Sequence, residues 1–263
     1  KAPQPLSPRG RELLLDIARR TWAFFDGFAR PETGWLPPDN YQQVPARPVV
    51  ANTSPTNIGM GMVACVCAMD LGFLTGAQMC QRISNMLDTL EGLETWRGHF
   101  YNWYSLWDRR VLAPRYISTV DSGNLAACLL TTAAALEELP GGMGHDQGER
   151  CRAMARAMDF RALYDRDRGL FHIGFDEGAG RLTKAWYDLM ASESRLTSLV
   201  AVALGQVEAA HWFHLGRLLV PTVGGRALLS WSGTMFEYLM PVLFTGLVPG
   251  TLLHESCVNA LQT

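Results

Sequence analysis

The chain has 263 residues, 48% hydrophobic and 18% charged, with a formal net charge of −2. That balance excludes a disordered chain and favours one large core over two modest ones. The Lys and Arg residues are scattered, so no electrostatic feature draws the chain to nucleic acid or an anionic membrane surface, and a neutral ligand fits better.

Residues 1–8, KAPQPLSP, read as a Pro-rich linker, and 9–263 as a single domain. The N-terminus lacks the apolar core of a signal peptide, and it opens on Lys1 rather than Met, as expected of an excerpt of a longer polypeptide or a processed product. Ser7 and Pro8 start a first helix over 8–28, in which Leu13, Leu14, Ile17, Trp22 and Phe25 recur at helical spacing. From Arg30 to Thr53 the text is Pro-rich and aperiodic; Trp35 and Tyr41 favour an ordered, functional loop.

Ser54 and Pro55 open a second helix to about Leu74, almost uncharged and holding Gly59, Gly61 and Ala64, which predicts burial on all sides. The apolar run Ile58–Leu74 falls short of the roughly 20 residues that a membrane span needs. A third, amphipathic helix follows over 75–93, with Met79, Ile83, Met86, Leu87 and Leu90 on one stripe.

The stretch 96–124 holds three of the eight tryptophans and three of the seven tyrosines and reads as a loop with short extended pieces. Flat rings interleaved with Asn102, Asp108, Arg109, Arg115 and Asp121 are what a sugar site needs: faces to stack on and fixed groups to read hydroxyls. Further helices are predicted over 121–138, 149–164, 185–204, 208–219, 235–244 and 252–261, with a small β-hairpin near 165–182 and a loop over 220–230. Apolar and amphipathic helices alternate, each pair followed by an aromatic and acidic loop. Concentric helices around a central depression produce that alternation, with the loops at one mouth.

The six cysteines, at 65, 67, 80, 128, 151 and 257, sit inside apolar patterns without paired spacing and read as reduced core residues of a cytosolic compartment. His211 and His214 have no third ligand nearby, and neither a P-loop nor a dinucleotide fingerprint occurs, so no metal and no cofactor is expected.

Three places set a carboxylate near the start of a buried helix beside aromatics: Asp121, the segment from Asp188 to Glu193, and Glu237. In a semi-apolar pocket such a group acts as a general acid, as glycosidic cleavage requires. Glu193, placed one and a half turns into an apolar helix, fits either that role or an ion pair to a neighbouring helix. Asp121 also fits a helix cap, Glu237 an ion pair within its helix, and His99 either a ligand contact or an ordinary hydrogen bond.

Together NTSPTNIGM (52–60), RGHFYNWYSLWD (97–108), PRYISTVDSGNL (114–125), YDLMASESRL (187–196), HWFHLGR (211–217) and SWSGTMFEYLMP (230–241) resemble the glucoamylase-like domain of bacterial cyclic β-1,2-glucan synthases. The resemblance covers most of 50–255 in collinear order. It implies an all-α, (α/α)6 toroid acting on β-1,2-glucan by retaining transglycosylation (cyclisation), within a larger membrane-associated synthase whose other domains are its partners. It implies Glu193 as acid/base, with Asp121 and Asn124 lining the substrate cleft. Tyr101, Trp103, Tyr104, Trp231 and Glu237 follow as sugar contacts, and His99, Tyr116 and Asp188 join the substrate-binding set.

Two departures stand out. Ser105 occupies the place where the family has Asp. The family's second catalytic glutamate lies in a W-G-I-S-E-S-like segment downstream of 230–241, which these residues do not contain, so the toroid is expected to be incomplete at its C-terminal side, with an open edge of apolar inner helices. A hydrolase of the same fold is the alternative, and a non-catalytic glucan-binding module the alternative from another class.

Overall fold

The structure, a computed structural model, describes residues 5–262. Its α-helices are α1 (Pro8–Phe28), α2 (Pro55–Asp70), α3 (Gly76–Glu91), α4 (Thr119–Glu137), α5 (His145–Ala157), α6 (Arg195–Ala203), α7 (His211–His214), α8 (Met235–Leu239), α9 (Val242–Thr245) and α10 (Leu252–Ala260). Local chemistry fixes the early starts. Ser7 Oγ accepts from the Gly10 N–H and Ser54 Oγ from the Asn57 N–H, each followed by Pro at the first helical position, and Thr75 and Gln78 form a capping box.

α4 is the hub. Thirteen of its nineteen residues are buried, and it packs against α2, α5 and α6, while α3 packs against α2 and α5. The inner helices approach closely because glycines stand at the crossings. A Cβ on Gly59 would lie 2.8 Å from Cys128 Cβ, and one on Gly123 would lie 1.9 Å from Thr197 Oγ1 and 2.6 Å from Thr197 Cα. The aromatic stretch runs as short antiparallel pieces: Thr95–Trp96 with His99–Phe100, Tyr104–Ser105 with Asn52–Thr53, and Tyr116–Ser118 with Gly174–Asp176. The predicted hairpin is present as Gly174–Asp176 paired with Arg181–Leu182, inside a three-stranded sheet.

Several elements depart from expectation. The helix predicted over 185–204 begins only at Arg195, because Trp186–Tyr187 pairs with Phe171 and His172, and Leu189 bridges to Gly216. Most of 208–219 is not helical, α7 being a single turn. The predicted loop 220–230 contains a hairpin, Leu219–Thr222 with Gly225–Leu228. Pro241 separates α8 from α9, where one helix was expected over 235–244. The helix predicted over 149–164 spans His145–Ala157, followed by a short 3₁₀ turn. All six cysteines are free, and Cys67 is exposed rather than core.

A main core runs through α2, α3, α4 and α6, and a smaller one joins Met190, Leu215, Leu228, Tyr238 and Cys257. α1 buries none of its residues fully, and Leu13, Leu14 and Ile17 face outward. Beside them an apolar groove of about 350 Å³ lies between α1 and α2, with Leu243 of α9 at its edge. Among the described residues no helix is long and apolar enough to cross a membrane.

Candidate active site

The first turns of α2 and α4, the turn that leads into α6, and α8 bring polar side chains together. α4 begins at Thr119, with Ser118 Oγ accepting the Asp121 N–H, so Asp121 is not the cap but the third helical residue. Its carboxylate is free to face α2 and the aromatic stretch. Oδ1 accepts from Thr56 Oγ1 at 2.6 Å, and Oδ2 from Asn102 Nδ2 at 3.0 Å. Asn124, one turn on, is 1% exposed and donates its amide to Thr56 Oγ1 at 3.1 Å.

Glu193 lies just before α6, not within it, and is half-buried. Its carboxyl is pushed up to about 7, by burial first and then by the negative charge of Asp121, with Asn124 drawing it down and Glu237 adding a small upward push. Asp121, Asn124 and Glu193 therefore form one electrostatic unit. Tyr187 stands against it: burial, then the charges of Glu193 and Asp121, and then Tyr116, push its phenol well above the ordinary range. Tyr116 is likewise raised by burial, and a hydrogen bond with Thr183 opposes the charges of Asp176 and Asp121.

The segment from Ser230 to Tyr238 is ordered by Glu237. Its Oε1 accepts the Trp231 N–H, and its Oε2 accepts the N–H groups of Ser232 and Thr234 and the Ser232 hydroxyl at 2.6 Å. Burial raises this carboxyl, but the hydrogen bonds from Ser232 and its neighbours outweigh burial and hold it below the usual carboxylate value. With both oxygens bonded within its own segment, Glu237 organises a loop and forms no ion pair among the described residues. Arg195, 4% exposed, ties this loop to the turn carrying Glu193: Nη1 donates to the carbonyls of Ser192 and Glu237, and Nη2 to that of Tyr238.

Other predicted contacts fall elsewhere. Tyr104 is fully buried, donates to the Glu94 carbonyl at 2.6 Å and accepts the Tyr101 N–H at 2.8 Å. Tyr101 is 1% exposed, and its hydroxyl donates to Glu177. His99 is wholly buried between Trp96 and Phe160, neither ring nitrogen finds a partner, and burial drives its pKa down to about 4, only partly offset by Asp159. None of these three offers a face to a ligand, so that part of the predicted stacking wall is scaffold. Trp103 and Tyr116 are half-buried, Asp188 is exposed with its backbone bridged to Gly216, and Trp231 presents an open ring. Sequence reading missed Thr56 and Tyr187, although both lie inside the quoted motifs.

Among the described residues no group of His, Cys, Asp and Glu is placed to hold a metal ion. His211 instead bonds the Gly169 carbonyl and Ser198 Oγ, both at 2.8 Å.

Known proteins resemble this chain in sequence and fold. A family model described as a protein of unknown function (DUF3131) matches residues 16–111. The cyclic beta-(1,2)-glucan synthase NdvB of Rhizobium meliloti (strain 1021) is 28% identical over 95% of this chain, which spans 13% of that relative's length. An endo-beta-1,2-glucanase from Chitinophaga pinensis, solved with sophorotriose and glucose, superposes with a TM-score of 0.79 at 14% identity, covering 95% of this chain and 65% of that one. A beta-1,2-glucanase from Parabacteroides distasonis gives a TM-score of 0.72 at 13% identity, over 91% of this chain and 38% of that one. The resemblance read from the motifs is thus found, and the fold is the glucoamylase-like (α/α) type.

Proposed function

We propose that this chain is the β-1,2-glucan-processing domain of a larger synthase, with Glu193 as general acid and base of a retaining transglycosylation. The observation that carries the reading is the carboxyl of Glu193, pushed up to about 7 beside Asp121. A carboxyl with that value is still protonated in good part near neutrality, where it donates to the glycosidic oxygen, and the carboxylate left behind is basic enough to take the proton of an incoming hydroxyl. Asp121, its two oxygens held by Thr56 and Asn102, places fixed negative charge beside the sugar as positive charge develops at the anomeric carbon. Asn124 and the Tyr187 phenol complete the polar wall, and Trp231 and Trp103 offer ring faces to glucosyl units.

The second carboxylate that retention requires lies, by the resemblance, in a segment outside these residues. The other domains of such a synthase are the natural partners, consistent with the chain spanning 13% of the Rhizobium meliloti relative. Six free thiols accord with a cytoplasmic face. A hydrolase is the second reading, favoured by the fold shared with endo-beta-1,2-glucanases. Incubation of a full-length synthase that contains this chain with linear β-1,2-glucan separates the readings: cyclic products support transglycosylation, short linear oligomers support hydrolysis, and binding without turnover supports a non-catalytic module and overturns both.

A further inference from the structure

We propose that Asp39 and Trp107 form a further glucosyl subsite beside the one at Asp121, in which the Asp39 carboxylate reads sugar hydroxyls and the Trp107 ring stacks on a neighbouring unit. The inference rests on the reading of this chain as a β-1,2-glucan-processing domain and extends its cleft. Asp39 belongs to the firmly packed part of the long Pro-rich loop. Leu36, Pro37 and Pro38 before it are buried, and its own N–H donates to the Asn52 carbonyl at 2.9 Å. The carboxylate is half-buried and oriented by two amides: Oδ1 accepts from Asn57 Nδ2 at 3.0 Å, and Oδ2 from Asn40 Nδ2 at 2.8 Å.

Among the described residues no cation pairs with Asp39, and it joins no group of His, Cys, Asp and Glu that could hold a metal ion. A carboxylate offers about four lone-pair sites, so each oxygen keeps room for a hydroxyl donor. A partly buried charge served by neutral amides alone gains from two more such bonds. Its place relative to Asp121 is set by α2: Asn57, which orients Asp39, directly follows Thr56, which orients Asp121. One peptide step, two side chains and two hydrogen bonds put the carboxylates within about 15 Å of each other, the span of a few glucosyl units.

The ring comes from the far side of the strand that leads into α2. Residues 50–53 run between the two loops, with the Val50 N–H donating to the Asn40 carbonyl on one side. On the other, Asn52 pairs with Ser105, and the Leu106 N–H donates to the Ala51 carbonyl at 3.0 Å. Trp107 is 65% exposed although its loop is pinned: its N–H donates to Ser105 Oγ, and the Arg109 N–H to the Ser105 carbonyl. A flat ring held open on an ordered loop gives a sugar a face to stack on at little cost in conformational entropy. The same loop descends from Asn102, the second group that holds Asp121.

The test is steady-state turnover of linear β-1,2-glucan by a full-length synthase that contains this chain, with thermal unfolding to confirm the fold of each variant. Asp39→Ala and Trp107→Ala are each expected to raise KM roughly three- to tenfold and to leave kcat within about twofold, because these contacts are made alike in the ground and transition states. Folded variants whose KM matches the parent's would overturn the proposal, and so would a loss confined to kcat or an effect of only one of the two substitutions. If Asp39→Ala does not fold, Asp39→Asn, which turns one acceptor oxygen into a donor, carries the same expectation and the same refutation. A parent that binds the glucan without turning it over would undo the function reading. The subsite would then be decided by calorimetric Kd in the same protein, with the same rise expected and an unchanged Kd overturning it.

Discussion

Gly123 and Thr197 touch where α4 crosses α6: a Cβ on Gly123 would stand 1.9 Å from Thr197 Oγ1. That contact brings the first turn of α4, with Asp121, beside the turn that carries Glu193. Thr197 Cα is also within 2.6 Å of the missing Cβ, so a rotamer change of the threonine cannot make room. Gly123→Ala is therefore expected to force the helices apart and to destabilise the protein by about 3 kcal/mol or more. Gly178→Ala, at an exposed hairpin turn where the nearest atom is 3.4 Å away, is expected to stay within about 0.5 kcal/mol. Chemical denaturation of the two variants checks the contrast.

The acid of the site also has a signature in stability. Its folded pKa, about 7, lies above the value of 4.5 for an ordinary glutamate. The folded chain thus holds a proton that the unfolded chain has released, and the stabilising contribution of that proton, complete below about 4.5, is lost as pH rises through about 7. Glu193→Gln stays neutral throughout. It is expected to be more stable than the parent at pH 8, by on the order of 1 kcal/mol after allowance for partial exposure, with the gain vanishing near pH 4.5. Thermal unfolding across pH 4–8 reads this, and equal melting temperatures at pH 8 would contradict it.

Glu237 runs in the opposite sense. Its depressed carboxyl contributes stability above the unfolded value and loses it as pH falls through the folded one. Glu237→Gln keeps one acceptor oxygen for the two sets of donors, the Trp231 N–H on one side and those of Ser232 and Thr234 on the other, and is expected to cost about 1–3 kcal/mol. It should also loosen the Ser230–Tyr238 loop, which tryptophan fluorescence from Trp231 would register.

The aromatic residues separate into two kinds. Trp231→Ala should weaken binding of a β-1,2-glucan oligomer several-fold with little change in stability, because the ring is 56% exposed. Tyr104→Phe should do the reverse, because it removes buried hydrogen bonds to Glu94 and Tyr101 without touching the cleft. Calorimetric binding together with denaturation of each variant decides the assignment.

These two tyrosine and tryptophan positions also show how far the letters reach. α2, α3 and α4 were legible because their signals are local: a serine or threonine cap, proline at the first position, and an apolar or striped pattern sustained over sixteen to nineteen residues. The segment before α6 was not, because Trp186–Tyr187 gives up helix for a pairing with Phe171 and His172, which the sequence brings from a distance. The hairpin at Leu219–Leu228 was masked by Pro221, tolerated there in a two-stranded sheet. Tyr101 and Tyr104 are as aromatic as Trp231, and only the tertiary fold distinguishes a ring that fills the core from one that faces a cleft. Asp121, Asn124 and Glu193 could be named from motifs, but the Thr56 hydroxyl that joins Asp121 to Asn124 lies 65 residues before Asp121 and is visible only in three dimensions.

The role of Glu193 is tested most directly by glucan turnover as a function of pH, in the parent and in Glu193→Gln, using a full-length synthase that contains this chain, as the proposed function requires. The parent is expected to lose activity as pH rises past about 7, and Glu193→Gln to fall by roughly 10² to 10⁴ at the optimum. Turnover by Glu193→Gln within twofold of the parent would remove Glu193 from the chemistry.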